Sequence, residues 1–301
     1  MRNTAIAIFA YRRPDHLRRV LESLMAQQGV PLPPIHLFLD GPRSDQDVHA
    51  MLACRAIAES FADHCDLTLE ASPVNQGLYS AITRGVTAML NRFEQLIVLE
   101  DDTLVSPYFL EFMLDGLACY TNVPAVASIH GYLPPLTIPL PDTFFLRGAD
   151  CWGWATWRDR WMLFRSDAAA MALELRQRGL ARAFDMGGRV PNLHLLDQRA
   201  ASRSSSWAIC WHASCFLADR YTLHPGRSLV RNIGLDASGE HCLPSAALIA
   251  SLSSSPVPVV RQTVEEDPAI MGAFARQVGR RSLPQRVLGR LSASLRRSHG
   301  R

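Results

Sequence analysis

The sequence contains no lysine. Its 31 Lys plus Arg residues are all arginines, and with 28 Asp plus Glu they give a formal net charge of +3. This absence excludes a phosphate-binding loop of the GxxxxGK[ST] type, a Schiff-base lysine and a lysine general base. The GxGxxG fingerprint of dinucleotide-binding proteins is also missing after the first apolar run.

The positive charge is concentrated at the C-terminal end. Residues 276–301 hold eight arginines and no acid, which leaves 23 arginines against 28 acids in the rest of the chain. The acidic body excludes a nucleic-acid-binding surface on charge alone. Val287, Leu288, Leu291 and Leu295 share one side of a helical pattern within the tail. This pattern predicts either peripheral contact with the inner face of the plasma membrane or a disordered solubilising tail.

Long apolar runs and paired cysteines are also absent. No run reaches the roughly 18 apolar residues of a membrane-spanning helix, and polar residues follow the first apolar stretch too early for a signal peptide. We therefore predict a cytoplasmic protein. The seven cysteines are an odd number without CxxC spacing, which favours scattered buried thiols over disulfides or a zinc site.

The first hundred residues alternate short apolar runs with stretches of helical periodicity. This βαβαβαβ order predicts an α/β fold with a Rossmann-like, mostly parallel, doubly wound sheet, whose ligands bind at the carboxyl ends of the strands. The predicted strands are Thr4–Phe9, Ile35–Leu39, Leu67–Leu69 and Leu96–Leu99, and the helices between them begin at Pro14, Asp45 and Leu78.

Three acids, Glu100-Asp101-Asp102, directly follow the fourth predicted strand. Clustered carboxylates raise one another's pKa, and a hard divalent cation such as Mg²⁺ or Mn²⁺ relieves the repulsion. An ion held by one or two carboxylates completes its shell with water and phosphate oxygens, which indicates a phosphate-bearing substrate. The alternative is a solvated acidic turn before the helix predicted near Pro107.

Seven segments of the chain form an ordered set of motifs, four of them at the predicted strand ends. They are Tyr11-Arg12-Arg13-Pro14-Asp15, Leu39-Asp40-Gly41-Pro42, Asn75-Gln76-Gly77-Leu78, Val98-Leu99-Glu100-Asp101-Asp102, Cys151-Trp152-Gly153-Trp154-Ala155-Thr156-Trp157, Ser206-Trp207-Ala208-Ile209 and Asn232-Ile233-Gly234-Leu235-Asp236 with Gly239 and His241. The first four together resemble the A-type nucleotide-sugar glycosyltransferases, with Glu-Asp-Asp as a form of their DxD motif. The later segments are similar to bacterial sugar transferases related to the Golgi alpha-mannoside N-acetylglucosaminyltransferase family, and the resemblance covers about residues 4–245.

The resemblance implies the glycosyltransferase A-type fold and a metal-dependent, inverting reaction. A sugar would pass from a nucleotide-sugar, such as UDP-GlcNAc, to a hydroxyl of a glycan or lipid-linked acceptor in cell-surface polysaccharide synthesis, with Mn²⁺ or Mg²⁺ as cofactor. We expect a nucleotide-sugar-binding subdomain at residues 1–105 and an acceptor-binding subdomain at 106–250. A linker and the basic tail would occupy 251–301.

Roles for the acids follow from the same resemblance. It implies that Asp102 is the direct metal ligand, that Asp101 contacts the ribose and that Glu100 acts near the metal through water. Asp40 would face the base, since a carboxylate accepts an N–H from a uracil-like edge. Alternatively, Asp40 is only a turn-forming residue before Gly-Pro.

The remaining candidates also carry alternatives. Arg12 and Asn75 would belong to the nucleotide-sugar site, or else be a surface charge and a helix cap. Trp152 and Trp154 would stack on an acceptor sugar, or else pack in the core. His241 would add a metal or diphosphate contact, or else be an incidental loop histidine.

An inverting displacement needs a general base near the acceptor hydroxyl. The resembled transferases have an acid just before the tryptophan of the Ser-Trp-Ala-Ile segment, whereas this chain has Ser204-Ser205-Ser206. We expect Asp197 or Asp150 to be the base, with Asp197 preferred, unless the chain is an impaired sugar-nucleotide-binding or scaffold protein. A sugar-nucleotide pyrophosphorylase is a further alternative, disfavoured by the missing Gly-rich phosphate loop.

Overall fold

A mixed eight-stranded sheet and a separate two-stranded sheet organise the computed structural model, which describes residues 3–236 and 248–279. All four strands predicted in the first hundred residues are present. The strands of the described residues are β1 (Thr4–Ala10), β2 (Ile35–Leu39), β3 (Leu67–Ala71), β4 (Gln95–Glu100), β5 (Thr103–Val105), β6 (Val126–His130), β7 (Thr143–Arg147), β8 (Trp154–Trp157), β9 (Tyr221–Pro225) and β10 (Val230–Asn232).

The large sheet has the strand order β3-β2-β1-β4-β8-β6-β9-β7. Six of its strands run in one direction, while β8 and β7 run against their neighbours. The prediction of a mostly parallel α/β sheet is therefore confirmed. The strand order places the first four strands together on one side.

Helices cover both faces of this sheet, as its buried strands require. The first three begin at Pro14, Asp45 and Leu78, as the sequence predicted. The helices of the described residues are α1 (Pro14–Met25), α2 (Asp45–Ala62), α3 (Leu78–Arg92), α4 (Phe109–Tyr120), α5 (Arg158–Trp161), α6 (Ala168–Gln177), α7 (Ala181–Phe184), α8 (Asn192–Ala200), α9 (Ala208–Leu217) and α10 (Pro268–Gly279), with a 3₁₀ turn at Gly234–Asp236.

Strand β1 shows why an unbroken apolar run forms a central strand. All seven of its residues are buried. Ile6 and Ile8 belong to the core beneath α1 and α2, whereas Ala5 and Ala7 belong to the core beneath α3. Because successive side chains point to opposite faces, both faces of this strand need apolar residues.

Two pairings fix the surroundings of the acidic triplet. β8 runs antiparallel to β4 with Trp154 opposite Val98, so the start of β8 lies at the edge where β4 ends. The small sheet pairs β10 with β5 and sets Asn232 opposite Thr103, immediately after the acids. The end of β4 is thus in contact with β8, more than 50 residues away in sequence, and the residues just after it pair with β10, more than 120 residues away.

The segment predicted as a linker runs along the body. The Ser106 hydroxyl donates to the Ser253 carbonyl at 2.7 Å, and Val257 is buried in the main core. Ile270 and Phe274 of α10 then pack against the side chains of β7. His241 and residues 280–301, which hold most of the arginine tail and its apolar stripe, lie outside the described residues.

The cysteines of the described residues are free thiols, as the sequence analysis predicted. The six cysteines of the described residues are all unpaired, and Cys242 lies outside them. Among residues 3–236 and 248–279, no helix is at once long enough and apolar enough to cross a bilayer.

Candidate active site

The acidic triplet lies at the carboxyl end of β4, in the middle of the sheet edge. Asp101 and Asp102 are only 2% and 6% exposed, and Glu100 is partly buried. The backbone N–H of Tyr11, at the end of β1, donates to Asp101 Oδ2 at 2.9 Å. This burial excludes a solvated acidic turn and leaves the carboxylates in need of a counter-charge.

Arg13 supplies part of that charge, and the sequence analysis did not single it out. Its Nη2 forms ion pairs with Asp101 and with Asp102 Oδ2, the latter at 3.0 Å. Burial alone would lower the pKa of Arg13, but the two carboxylates outweigh that effect and raise it above its ordinary value. Arg13 immediately precedes α1, so the fold delivers it from the end of the neighbouring strand β1.

One guanidinium does not balance three acids. Burial, reinforced by the charges of Asp102 and Asp101, raises the pKa of Glu100 to about 8. Burial also raises the pKa of Asp101 to about 6, although Arg13 opposes the shift. Ionising all three acids together is therefore costly, and the site favours an additional cation.

The carboxylate oxygens of the triplet suit a hard divalent ion whose other ligands come from water or a substrate. Within the described residues, no group of three or more His, Cys, Asp or Glu side chains is arranged to hold a metal. The triplet offers carboxylate oxygens alone, which Mg²⁺ and Mn²⁺ accept, and these ions take their remaining ligands from water or phosphate. The residues present fit such an ion.

The backbone of the turn after β10 packs against Asp102. The Ile233 N–H donates to the Asp102 backbone carbonyl at 2.8 Å, and the Gly234 N–H donates to Asn232 Oδ1 at 2.8 Å. A Cβ atom at position 234 would lie 2.3 Å from Asp102 Oδ2 and 2.9 Å from Arg13 Nη1. Glycine is required there because the backbone approaches the carboxylate closely.

Gly234→Ala is therefore expected to displace the Asp102 carboxylate and to weaken Mn²⁺ binding by about tenfold or more, since small misplacements of site groups have large effects. Isothermal titration with Mn²⁺ measures this change. Gly272→Ala on α10 is the matched control, because its Cβ would meet nothing closer than Arg276 Nη1 at 3.5 Å. Equal Mn²⁺ affinities for both variants would show that position 234 does not support the site.

Asp40 joins the loops that follow β2 and β3. Its carboxylate accepts the backbone N–H groups of Gly41 at 2.9 Å, Gln76 at 2.8 Å and Gly77 at 3.0 Å. The Asn75 side-chain amide donates to the Gly41 carbonyl at 2.9 Å, so it links the same loops and does not cap α3. A carboxylate has about four acceptor sites, and Asp40 retains about one for a ligand.

A second polar cluster lies at the end of β1. The Tyr11 hydroxyl donates to Asp47 Oδ2 at 2.7 Å, and Arg12, with 43% of its side chain exposed, pairs with Asp47 Oδ1 at 3.3 Å. The guanidinium carbons of Arg12 and Arg43 lie 5.4 and 5.3 Å from the Tyr11 ring centre. The hydrogen bond from Tyr11 lowers the pKa of Asp47, a residue that the sequence analysis missed.

The two candidate tryptophans lie in different environments. Trp154 is fully buried, with its ring centre 5.5 to 5.9 Å from those of Trp161, Trp207 and Trp211. A ring in that position has no face free for a sugar. Trp152 is partly buried at the sheet edge and packs edge-on against Tyr132 at 4.6 Å.

Alanine substitution is expected to separate these environments. Trp154→Ala should lower the free energy of unfolding by about 3–5 kcal/mol, because it leaves a large cavity among three other indoles. Trp152→Ala should cost about 1 kcal/mol, in line with an average substitution. Urea unfolding measures both values. A cost below about 1 kcal/mol for Trp154→Ala would contradict its place in the core.

Asp150 lies beside a pair of buried histidines. Its Oδ1 accepts the Cys151 N–H at 2.8 Å and lies 3.9 Å from His130 Nε2, and 37% of its side chain is exposed. Burial lowers the pKa of His130 and of His224. The backbone N–H of Trp152 donates to His130 Nε2 at 3.2 Å. The neutral His130 ring therefore carries its proton on Nδ1, which lies 3.3 Å from His224 Nδ1.

Asp197 lies on α8 and not at the strand ends. Both of its oxygens accept from Arg176 Nη2, at 2.9 and 2.6 Å, and 42% of its side chain is exposed. The serines that replace the expected acid hydrogen-bond at the start of α9, where Ser204 Oγ accepts the Ser206 N–H at 3.2 Å. The structure therefore brings Asp150 to the edge region beside Trp152 and leaves Asp197 in a surface ion pair.

Comparison with known proteins gives distant similarities. No protein-family model matches the chain. A Pyrobaculum calidifontis mannosyltransferase in complex with GDP-Man and Mn²⁺ is similar at 17% identity, over 45% of this chain and 36% of that chain, with a TM-score of 0.35. S. aureus TarS 1-349 with UDP-GlcNAc is similar at 12% identity, over 55% of this chain and 46% of that chain, with a TM-score of 0.37.

Glucosyl-3-phosphoglycerate synthase from Mycobacterium tuberculosis, with Mn²⁺, UDP and glucosyl-3-phosphoglycerate, is similar at 10% identity, over 66% of this chain and 80% of that chain, with a TM-score of 0.36. The chain spans less than half of the length of the mannosyltransferase and of TarS 1-349. Because all three similarities are distant, the interpretation of the site depends on its own residues.

Proposed function

We propose that the chain is a divalent-metal-dependent, inverting glycosyltransferase that uses a UDP-sugar such as UDP-GlcNAc. The observation that carries the proposal is the buried Asp101-Asp102 pair at the carboxyl end of β4, where three acids face one arginine. Such a site attracts a metal ion together with a negatively charged, phosphate-bearing substrate. The acceptor would be a hydroxyl of a glycan or a lipid-linked molecule.

Residues of the first four strand ends would bind the donor. Asp102 would hold the ion with Asp101 beside it, and the bound ion would neutralise the departing diphosphate. The first turn of α1 begins at the same edge, and helix N-termini favour phosphate groups. The Tyr11 ring with its two guanidiniums and the remaining acceptor site of Asp40 would contact the nucleoside.

Asp150 is the better placed general base. It is a partly exposed carboxylate next to Trp152. Its neighbour His130 is neutral because burial lowers the pKa of that ring, so His130 does not engage Asp150 in an ion pair. A base at this point would take the proton from an acceptor hydroxyl bound against Trp152. Asp197 would first have to leave Arg176.

A donor-hydrolysis assay on the purified full chain tests the proposal. We expect UDP release from at least one UDP-sugar in the presence of Mn²⁺ and none in excess EDTA. Release of pyrophosphate from UTP and a sugar 1-phosphate would instead identify a pyrophosphorylase. Nucleotide binding without turnover of any donor or acceptor would identify an impaired sugar-nucleotide-binding protein.

A further inference from the structure

The guanidinium of Arg13 occupies the space between the two aspartates that would face a metal ion. Its Nη2 donates to Asp101 Oδ1 and forms an ion pair with Asp102 Oδ2 at 3.0 Å. Its Nη1 is buried and has no hydrogen-bond partner within the described residues. Buried N–H groups are normally paired, so this nitrogen indicates that an acceptor belongs beside it.

Asp102 has little room for a second cation while Arg13 is bound. Oδ2 lies 3.0 Å from Arg13 Nη2, and the Gly234 backbone packs close to both Oδ2 and Arg13 Nη1. Oδ1 lies 3.4 Å from the Thr103 hydroxyl. A divalent ion at Oδ2 would be in direct repulsive contact with the guanidinium, so the two cations exclude each other there.

Phosphate is the acceptor that best suits a displaced arginine. Guanidinium groups bind phosphate oxygens through paired N–H donors, and Arg13 stands directly before the first turn of α1, where a phosphate is also favoured. If a nucleoside diphosphate binds together with the metal ion, its phosphate oxygens would therefore accept hydrogen bonds from Arg13 once the ion occupies the aspartates.

We propose that Arg13 is the resident counter-ion of Asp101 and Asp102, that a divalent ion binds Asp102 in competition with it, and that the freed guanidinium then binds the diphosphate. The last step rests on the proposed function, because it assumes a nucleoside diphosphate substrate. The competition between Arg13 and the metal does not depend on which reaction follows.

Titration of the full chain with Mn²⁺ alone, without nucleotide, tests the competition. Arg13→Gln is expected to bind Mn²⁺ about tenfold more tightly than the wild type, because a neighbouring positive charge is lost. Arg176→Gln, which breaks a surface Arg–Asp pair, is the matched control and should match the wild type. Unchanged or weaker Mn²⁺ binding by folded Arg13→Gln, or no Mn²⁺ binding by any form, would overturn the competition.

A second measurement uses the wild-type protein, because Arg13→Gln leaves two buried carboxylates unpaired. Phenylglyoxal labelling, mapped by mass spectrometry, reports the accessibility of each guanidinium. Mn²⁺ without nucleotide should increase Arg13 labelling at least threefold and leave Arg176 unchanged. Labelling of Arg13 that stays the same or falls with Mn²⁺ bound would contradict its displacement.

The diphosphate step has its own readout. In saturating Mn²⁺, Arg13→Gln should bind UDP about tenfold more weakly than the wild type, whereas UMP, which has no diphosphate, should bind about equally to both. Equal UDP affinities would overturn this step. If the wild type turns over no UDP-sugar but Arg13→Gln binds Mn²⁺ more tightly, the proposed function alone is removed. If the wild type turns over a UDP-sugar but Arg13→Gln binds Mn²⁺ no more tightly than the wild type, the inference alone is removed.

Discussion

Asp102→Asn is expected to abolish metal-dependent nucleotide binding. The substitution keeps the volume of the side chain and replaces the carboxylate with a neutral amide, a much weaker ligand for a hard cation. Mn²⁺-dependent UDP affinity should fall by about 100-fold or more, and UDP release from the donor by about 10³-fold, since an ion held by Asp102 would supply the charge that offsets the leaving diphosphate. Isothermal titration and the hydrolysis assay measure the two effects.

The fold should tolerate this change, which makes the result interpretable. One buried charge is removed from a site where three acids face a single arginine, and Arg13 keeps its ion pair with Asp101. The thermal midpoint should therefore stay level or rise. Asp63→Asn, at an exposed position at the end of α2, is the control and should leave UDP affinity unchanged. UDP binding by Asp102→Asn within threefold of the wild type would remove Asp102 from the metal site.

The first half of the sheet follows from local sequence patterns. The apolar run of β1 marks a strand buried on both faces, and the helical spacing of Leu17, Val20, Leu21 and Leu24 marks the buried side of α1. Strands β1, β2 and β3 pair side by side, as consecutive strands of such folds usually do, so their neighbourhood could be predicted from their order along the chain. The acids after β4 were predicted at a strand end for the same reason.

The Trp-rich segment shows where such reasoning stops. Trp154 and Trp157 are three residues apart, as on one side of a helix, yet β8 is a strand in which they point to opposite, equally buried faces. A short apolar run does not separate a buried strand from a buried helix. The antiparallel insertion of β8 between β4 and β6 is a long-range pairing with no local signal, although it brings Trp152 and Asp150 towards the end of β4.

The two arginines after β1 show a similar limit within the site. The sequence places Arg12 and Arg13 together at a strand end, and the resemblance favoured Arg12. In the structure Arg12 has a positive φ of 44°, and the chain turns so that Arg12 pairs with Asp47 while Arg13 pairs with the acidic triplet. Non-glycine residues seldom adopt this conformation, so nothing in the sequence indicated which guanidinium would face the acids.

Asp150→Asn is expected to reduce UDP release from the donor by about 100-fold or more while leaving UDP affinity within threefold, because a general base acts on the chemical step and not on nucleotide binding. The asparagine side chain can still accept the Cys151 N–H, so the local turn should survive. Single-turnover kinetics at saturating donor separates the chemical step from binding.

Asp197→Asn provides the decisive comparison. Its carboxylate is already bound by both oxygens to Arg176 on a helix surface, so its loss should leave turnover within about twofold and cost no more than the roughly 1 kcal/mol of an exposed ion pair. The reverse result, with activity lost in Asp197→Asn and kept in Asp150→Asn, would place the base on α8 and require that helix to move. Full activity in both variants would require a general base other than these two carboxylates. The pair of isosteric substitutions therefore tests both candidate bases, and the test does not require the acceptor substrate to be known.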